Sequence, residues 1–226
     1  METQLWHPLS RDEDLGDAPL ATALLGQSLV LWRDAAGQPV LMRDQCPHRG
    51  ARLSLGQVAD GQIECPYHGW RFEAGGACAS IPAVPGFQPP ASHRACTHRV
   101  VARHGLLWGT LGGAPTEPPA LPDLPARRLV YGPFDVATSA PRVVENFLDT
   151  AHFAFVHAGW LGQTGHADVP DYAVTHTADG RPVIEDYRAW QPRATASATG
   201  GGWVRYRYEV LGPYGAVLHK QPDDGS

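Results

Sequence analysis

Two short segments, Cys46-Pro47-His48-Arg49-Gly50 and Cys65-Pro66-Tyr67-His68-Gly69-Trp70, constrain this chain more than any other feature. Each presents one cysteine and one histidine close together, and sixteen residues separate His48 from Cys65. Proline fixes a backbone dihedral and glycine tolerates left-handed conformations, so both segments suit tight loops with backbone N–H groups turned inward. The chain must therefore fold so that two such loops face each other.

Two thiolates and two imidazoles in mixed pairs are the ligand set of a Rieske [2Fe-2S] cluster, with Cys46 and Cys65 on one iron and His48 and His68 on the other. Neutral imidazoles in place of thiolates remove negative charge and raise the reduction potential. Each histidine binds through one ring nitrogen and leaves the other facing outward, so single electrons can pass at an imidazole edge. A structural zinc site is the alternative for two Cys and two His, but zinc modules usually pair Cys with Cys and His with His, whereas each motif here mixes them. An iron assay and a visible spectrum separate the two, since zinc protein is colourless.

At 226 residues the chain is long enough for one large domain or two modest ones. Gly 25 and Pro 21 favour loops and short strands over long helices, hence a β-rich architecture. A net charge of −5 with interspersed signs excludes the basic stripe that nucleic-acid binding requires. No apolar run has the length of a membrane span, and the start lacks signal-peptide regions, so no membrane and a cytoplasmic location are expected. In a reducing compartment the remaining Cys78 and Cys96 read as small buried thiols.

Along the chain, residues 1–25 read as a strand and a polar turn. The stretches SLVLWRD and PVLMRDQC, joined by a turn at Ala36–Pro39, read as a hairpin delivering the first loop. A second turn at Asp60-Gly61 and the strand QIEC deliver the other, with both loops projecting from one small antiparallel sheet. IPAVPGFQPP is expected to be extended and to cover that sheet. Residues 98–112 form a closing hairpin broken at His104-Gly105, with His93, His98 and His104 as ordinary polar residues. Residues 113–126, with five prolines, read as a linker.

Past it, Val143, Val144, Phe147, Leu148, Ala151 and Phe155 recur at helical spacing, with Glu145, Asp149 and His152 on the other face and Gly159 as a stop signal. His157 lies five residues beyond His152, about 140° round an ideal helix. Both imidazoles reach one metal only if the helix ends or bulges between them, and that irregularity is predicted. With it, two His could hold iron(II) with open positions toward a substrate cavity. The bland alternative is a core or surface pair, and an electron donor upstream favours an acceptor here.

Together these residues resemble the Rieske non-haem iron oxygenases, the catalytic subunits of ring-hydroxylating dioxygenases and demethylating monooxygenases. The resemblance runs from about Trp6 to Gly162. It implies an α+β, β-rich fold: a Rieske [2Fe-2S] antiparallel β domain over 1–115, then over 116–226 the start of a helix-grip catalytic domain. It implies mononuclear Fe(II) on His152 and His157, with Asn146 near it. Asp149 matches a bridging carboxylate that takes hydrogen bonds from a cluster histidine of one subunit and an iron histidine of its neighbour, hence a three-fold symmetric ring.

The implied activity takes electrons from an NAD(P)H-dependent reductase, with or without a ferredoxin. O2 is used to hydroxylate, dihydroxylate or demethylate an aromatic or other hydrophobic small molecule. The family's third iron ligand is a carboxylate well over a hundred residues beyond the His pair, while this sequence ends 69 residues past His157. That ligand is expected beyond residue 226, the chain is expected to be truncated and poorly soluble, and Asp223 and Asp224 are in the wrong context to replace it. A Rieske-type electron-transfer protein or a catalytically incomplete fragment is the rival expectation.

Overall fold

A computed structural model describes residues 2–113, 117–118, 129–211 and 214–223. The chain divides into two units, Met1–Phe134 and Asp135–Ser226. The expected boundary at 115/116 and most of the expected linker lie outside the described residues.

In the first unit, β1 (His7–Arg11), β2 (Leu20–Leu24), β3 (Gln27–Arg33) and β4 (Pro39–Arg43) precede the first Cys/His loop. Then come β5 (Gln57–Ala59) and β6 (Gln62–Glu64), the second loop, and β7 (Arg71–Phe72) and β8 (Cys78–Ser80). The hairpin β9 (Thr97–Arg103) and β10 (Leu106–Thr110) closes the unit, with positive φ at His104 and Gly105 in its turn. All pairings are antiparallel. Six strands form one sheet in the order β1-β10-β9-β4-β3-β2, and four form another in the order β5-β6-β7-β8.

The near-continuous apolar runs of β3 and β4 are explained by burial on both faces. Leu29, Leu31 and Leu41 point into a cluster with Leu24 and Leu107 on one side. Val30, Trp32, Val40 and Met42 point to the other, where they meet Ile63, Phe72 and Cys78 of the four-stranded sheet. Cys46 and Cys65 belong to this second cluster, so the two Cys/His loops are anchored directly in a packed core.

Three expectations change. The two loops leave different sheets, the first at the end of β4 and the second between β6 and β7, because the core between the sheets is what brings them together. IPAVPGFQPP covers little: Ile81 is buried, residues 82–88 are exposed, and turns close from Val84 N–H to Ile81 O and from Phe87 N–H to Val84 O. Cys96 is exposed, because it lies at the approach to β9, where its carbonyl accepts from Arg43; only Cys78 of the spare pair is buried.

The second unit holds α1 (Ala140–Leu148) and the antiparallel sheet β11 (Val174–His176), β12 (Pro182–Gln191), β13 (Gly202–Val210) and β14 (Ala216–Pro222), in that order. Alternation on β13 buries Val204, Tyr206 and Tyr208 on one face, where Tyr187 and Ala194 join them and Leu148 and Phe153 pack on top. The register slips between Ile184 and Tyr187, with Asp186 at positive φ (54°). The fold is α+β and β-rich, as expected. Among the described residues no helix is long and apolar enough to cross a membrane.

Candidate metal centres

The two Cys/His loops are built alike. Gly50 N–H donates to Cys46 O and Cys46 N–H to Ala51 O, at 2.9 Å and 2.8 Å; Gly69 N–H donates to Cys65 O and Cys65 N–H to Trp70 O, at 3.0 Å and 2.9 Å. Each loop thus closes on its own cysteine. Both thiols are 2% exposed, whereas His48 and His68 are exposed and their ring centroids lie 4.8 Å apart. Buried thiols below and imidazoles at the surface form the polarity that the two-iron ligand set requires.

Burial first, then the Cys65 side chain, holds the Cys46 thiol above its ordinary range, and burial holds the His48 imidazole below its own. Neutral imidazole is the ligand form, and a bound cation reverses the thiol preference by favouring thiolate. Among the described residues no three His, Cys, Asp or Glu side chains group as one ion would require. A two-iron group asks for something else, since its four protein donors divide into two pairs.

Asp44, two residues before Cys46, is a supporting residue that motif reasoning passed over. Its fully buried carboxylate accepts from Ser54 N–H and Ser54 Oγ, each at 2.7 Å, and from Arg52 Nε at 2.9 Å. It ties the first loop to the short turn Leu53–Leu55. The run of paired charges around it gave no distinguishing signal. On the second loop Trp70, 8% exposed, lies flat against His48, with ring centroids 4.5 Å apart and planes 4° apart.

The other constellation follows α1. The helix ends at Leu148 rather than running on, because Asp149 turns extended (φ −73°, ψ 129°) and its Oδ1 accepts from Ala151 N–H at 2.9 Å. His152 sits in a 3₁₀ turn, Ala151–Ala154, and the backbone turns again before His157. The predicted irregularity is present, and it starts earlier than expected. It brings the His152 and His157 rings to 5.1 Å between centroids, tilted by 62°.

Asp149 Oδ2 lies 3.0 Å from His152 Nδ1. A carboxylate at this pH only accepts, so Nδ1 carries the proton and Nε2 is the nitrogen left for a metal. The bond from His152, followed by that from Ala151, holds the Asp149 carboxyl below its usual range. Asn146 is exposed on α1. Asp223 is paired with Arg188 at the end of β14, and Asp224 lies outside the described residues.

A cavity of about 350 Å³ opens beside this turn, walled by Phe153, Leu161, Trp190 and Trp203 with Asp168 and Arg188 at its polar side. Neither His152 nor His157 lines it, so it is not the expected cavity facing the imidazole pair: it borders their turn through Thr150, Ala151, Phe153 and Ala154 instead.

Residues 5–91 match the family model of the Rieske [2Fe-2S] domain, and residues 136–210 that of the vanillate O-demethylase oxygenase C-terminal domain. The first match defines an iron–sulfur protein of the Rieske class. With both domains in this order, the chain belongs to the Rieske non-haem iron oxygenases, among their alpha-type subunits. It is 37% identical to methylxanthine N1-demethylase NdmA of Pseudomonas putida over 176 residues, covering 73% of this chain and 50% of that protein. It is 32% identical to aminopyrrolnitrin oxygenase PrnD of Pseudomonas fluorescens over 210 residues, 88% of this chain and 53% of that one. The solved structure of Pseudomonas putida CBB5 NdmA with caffeine superposes with a TM-score of 0.78 at 28% identity, over 96% of this chain and 64% of the other. The chain spans about half the length of the curated relatives it matches.

Proposed function

We propose that this chain is the electron-accepting and iron-binding part of an oxygenase subunit that hydroxylates, dihydroxylates or demethylates an aromatic or other hydrophobic small molecule. Cys46 and Cys65 would hold one iron of the cluster, His48 and His68 the other, and His152 and His157 a mononuclear iron(II). When bound, these groups accept single electrons and activate O2. The observation that carries the proposal is the presence of both donor constellations in one chain: buried thiols beneath exposed imidazoles, and an imidazole pair of which His152 is oriented by a carboxylate.

The protein's own residues do the positioning. The core beneath Cys46 and Cys65 keeps the thiols dry, while the exposed rings of His48 and His68 offer the edge through which an electron leaves or arrives. Asp149 fixes the His152 tautomer, and its carboxylate is 46% exposed. That exposure suits a second hydrogen bond from a cluster histidine of a neighbouring subunit, as in the three-fold assembly the family resemblance implies. The apolar walls of the adjacent cavity suit a planar hydrophobic substrate, with Asp168 at its polar side. The proposed electron source is an NAD(P)H-dependent reductase, directly or through a ferredoxin, in the cytoplasm.

Iron and acid-labile sulfide analysis, followed by oxygen uptake with reductase and candidate substrates, tests the proposal. Three irons and two sulfides per chain with substrate-coupled uptake support it. Two irons with reduction but no turnover would instead mark an electron carrier.

A further inference from the structure

His48 of the first loop is the inner ring of a stack that runs through Trp70 of the second loop. Trp70 lies parallel to it at 4.5 Å, and His93 lies parallel to the far face of Trp70, with centroids 5.2 Å apart and planes 9° apart. Phe87 approaches the outer ring at 6.3 Å. His93 is held in place by its own short 3₁₀ turn, Ala91–His93, where its N–H donates to Pro90 O at 2.9 Å and Ser92 Oγ lies 3.2 Å from its Nδ1. His93 is outside both Cys/His motifs and is half-buried, while the Trp70 ring between the two histidines is almost wholly buried.

We propose that Trp70 and His93 are positioning residues for His48: the stacked pair fixes the plane of that imidazole, keeps water from its face, and so sets how readily the centre takes an electron. The proposal rests on His48 being a cluster ligand. With two thiolates and two neutral imidazoles the oxidised group has no net charge, and one added electron makes it an anion. A low-dielectric wall disfavours that anion and water favours it. The stack therefore holds the potential down, and opening it raises the potential. Ring orientation also changes the overlap of the imidazole nitrogen with iron, which the spectrum of the reduced centre reports.

The test compares His93→Ala with His93→Phe in the full chain carrying its cluster. Phenylalanine keeps a flat ring on Trp70 without the ring nitrogens, and alanine removes the outer ring. Midpoint potential is read by redox titration of the visible absorbance, and g-values by EPR of the reduced protein, at matched iron and sulfide content. The expected result is a raised potential and shifted g-values in His93→Ala, with His93→Phe close to wild type. Unchanged potential and g-values in His93→Ala, or a shift in His93→Phe as large as in His93→Ala, overturns the proposal while the ligand assignment stands. A wild-type protein with no reducible iron–sulfur signal overturns the ligand assignment and the proposal with it.

Discussion

Gly50 and Gly69 hold the same place in the two loops, each donating its amide to the carbonyl of the cysteine four residues back and each at positive φ, 74° and 69°. An L-residue in that conformation costs about 1–2 kcal/mol. A Cβ at Gly69 would in addition meet Pro82 Cγ at 3.0 Å, whereas at Gly50 the nearest atom is the flexible end of Gln45 at 3.4 Å. Gly69→Ala is therefore expected to lose more iron per chain and more thermal stability than Gly50→Ala. Equal losses, or the reverse order, would show that the Pro82 contact is irrelevant.

Asp44 clamps the first loop through three hydrogen bonds to one buried carboxylate. Hydrogen bonds to a charged group contribute about 1.5–3 kcal/mol, and Asp44→Ala leaves the Ser54 amide without its acceptor. The expected outcome is a loss of about 2 kcal/mol in urea unfolding and weaker cluster retention. Asp44→Asn keeps the shape and part of the bonding, so it should fall between. A fully stable Asp44→Ala protein would remove the carboxylate from the account of this loop.

The pattern of legibility follows from the range of the interactions involved. The Cys/His loops could be read because ligand chemistry demands particular residue types at short spacing. The β3–β4 hairpin could be read because a continuous apolar run has few uses except burial on both faces. What escaped depends on contacts that spacing does not encode: Asp44 reaches Ser54, His93 reaches Trp70, and the core between two sheets joins loops that look like products of one. Apolar periodicity continues past Leu148 to Phe155 and on its own predicts a longer helix. A side-chain bond from Asp149 to the Ala151 amide outweighs that periodicity, and Phe155 ends 66% exposed.

The imidazole pair gives a separable prediction. His152→Ala and His157→Ala remove donors that belong to the second unit, whereas the Cys/His loops belong to the first, so each is expected to abolish turnover and mononuclear iron while the cluster's visible spectrum persists. Asp149→Asn keeps the acceptor at its side-chain carbonyl but removes the charge. Retained iron with slowed transfer from cluster to iron fits a bridging carboxylate, and loss of that iron fits an orienting one. Bleaching of the cluster in any of the three would contradict the separation of the centres.

His98 makes the fold sensitive to acid independently of the histidines in the two Cys/His loops. Its half-buried ring lies 3.0 Å from Gln27 Nε2, with Cys96 Sγ at 3.9 Å, and burial, then the charge of Arg43, holds its pKa below the ordinary value. The Gln27 N–H must donate to an unprotonated ring nitrogen, so the folded state prefers neutral His98. The unfolded chain protonates it first, near pH 6.5. Because the unfolded state then binds more protons, stability declines as pH falls below about 6.5 and continues to decline until the folded-state pKa is reached. Above that window His98 contributes no slope. Urea midpoints at pH 7.5 and 5.5 should therefore fall further apart in wild type than in His98→Gln, which cannot titrate. Identical acid losses in the two proteins would assign the sensitivity to other groups.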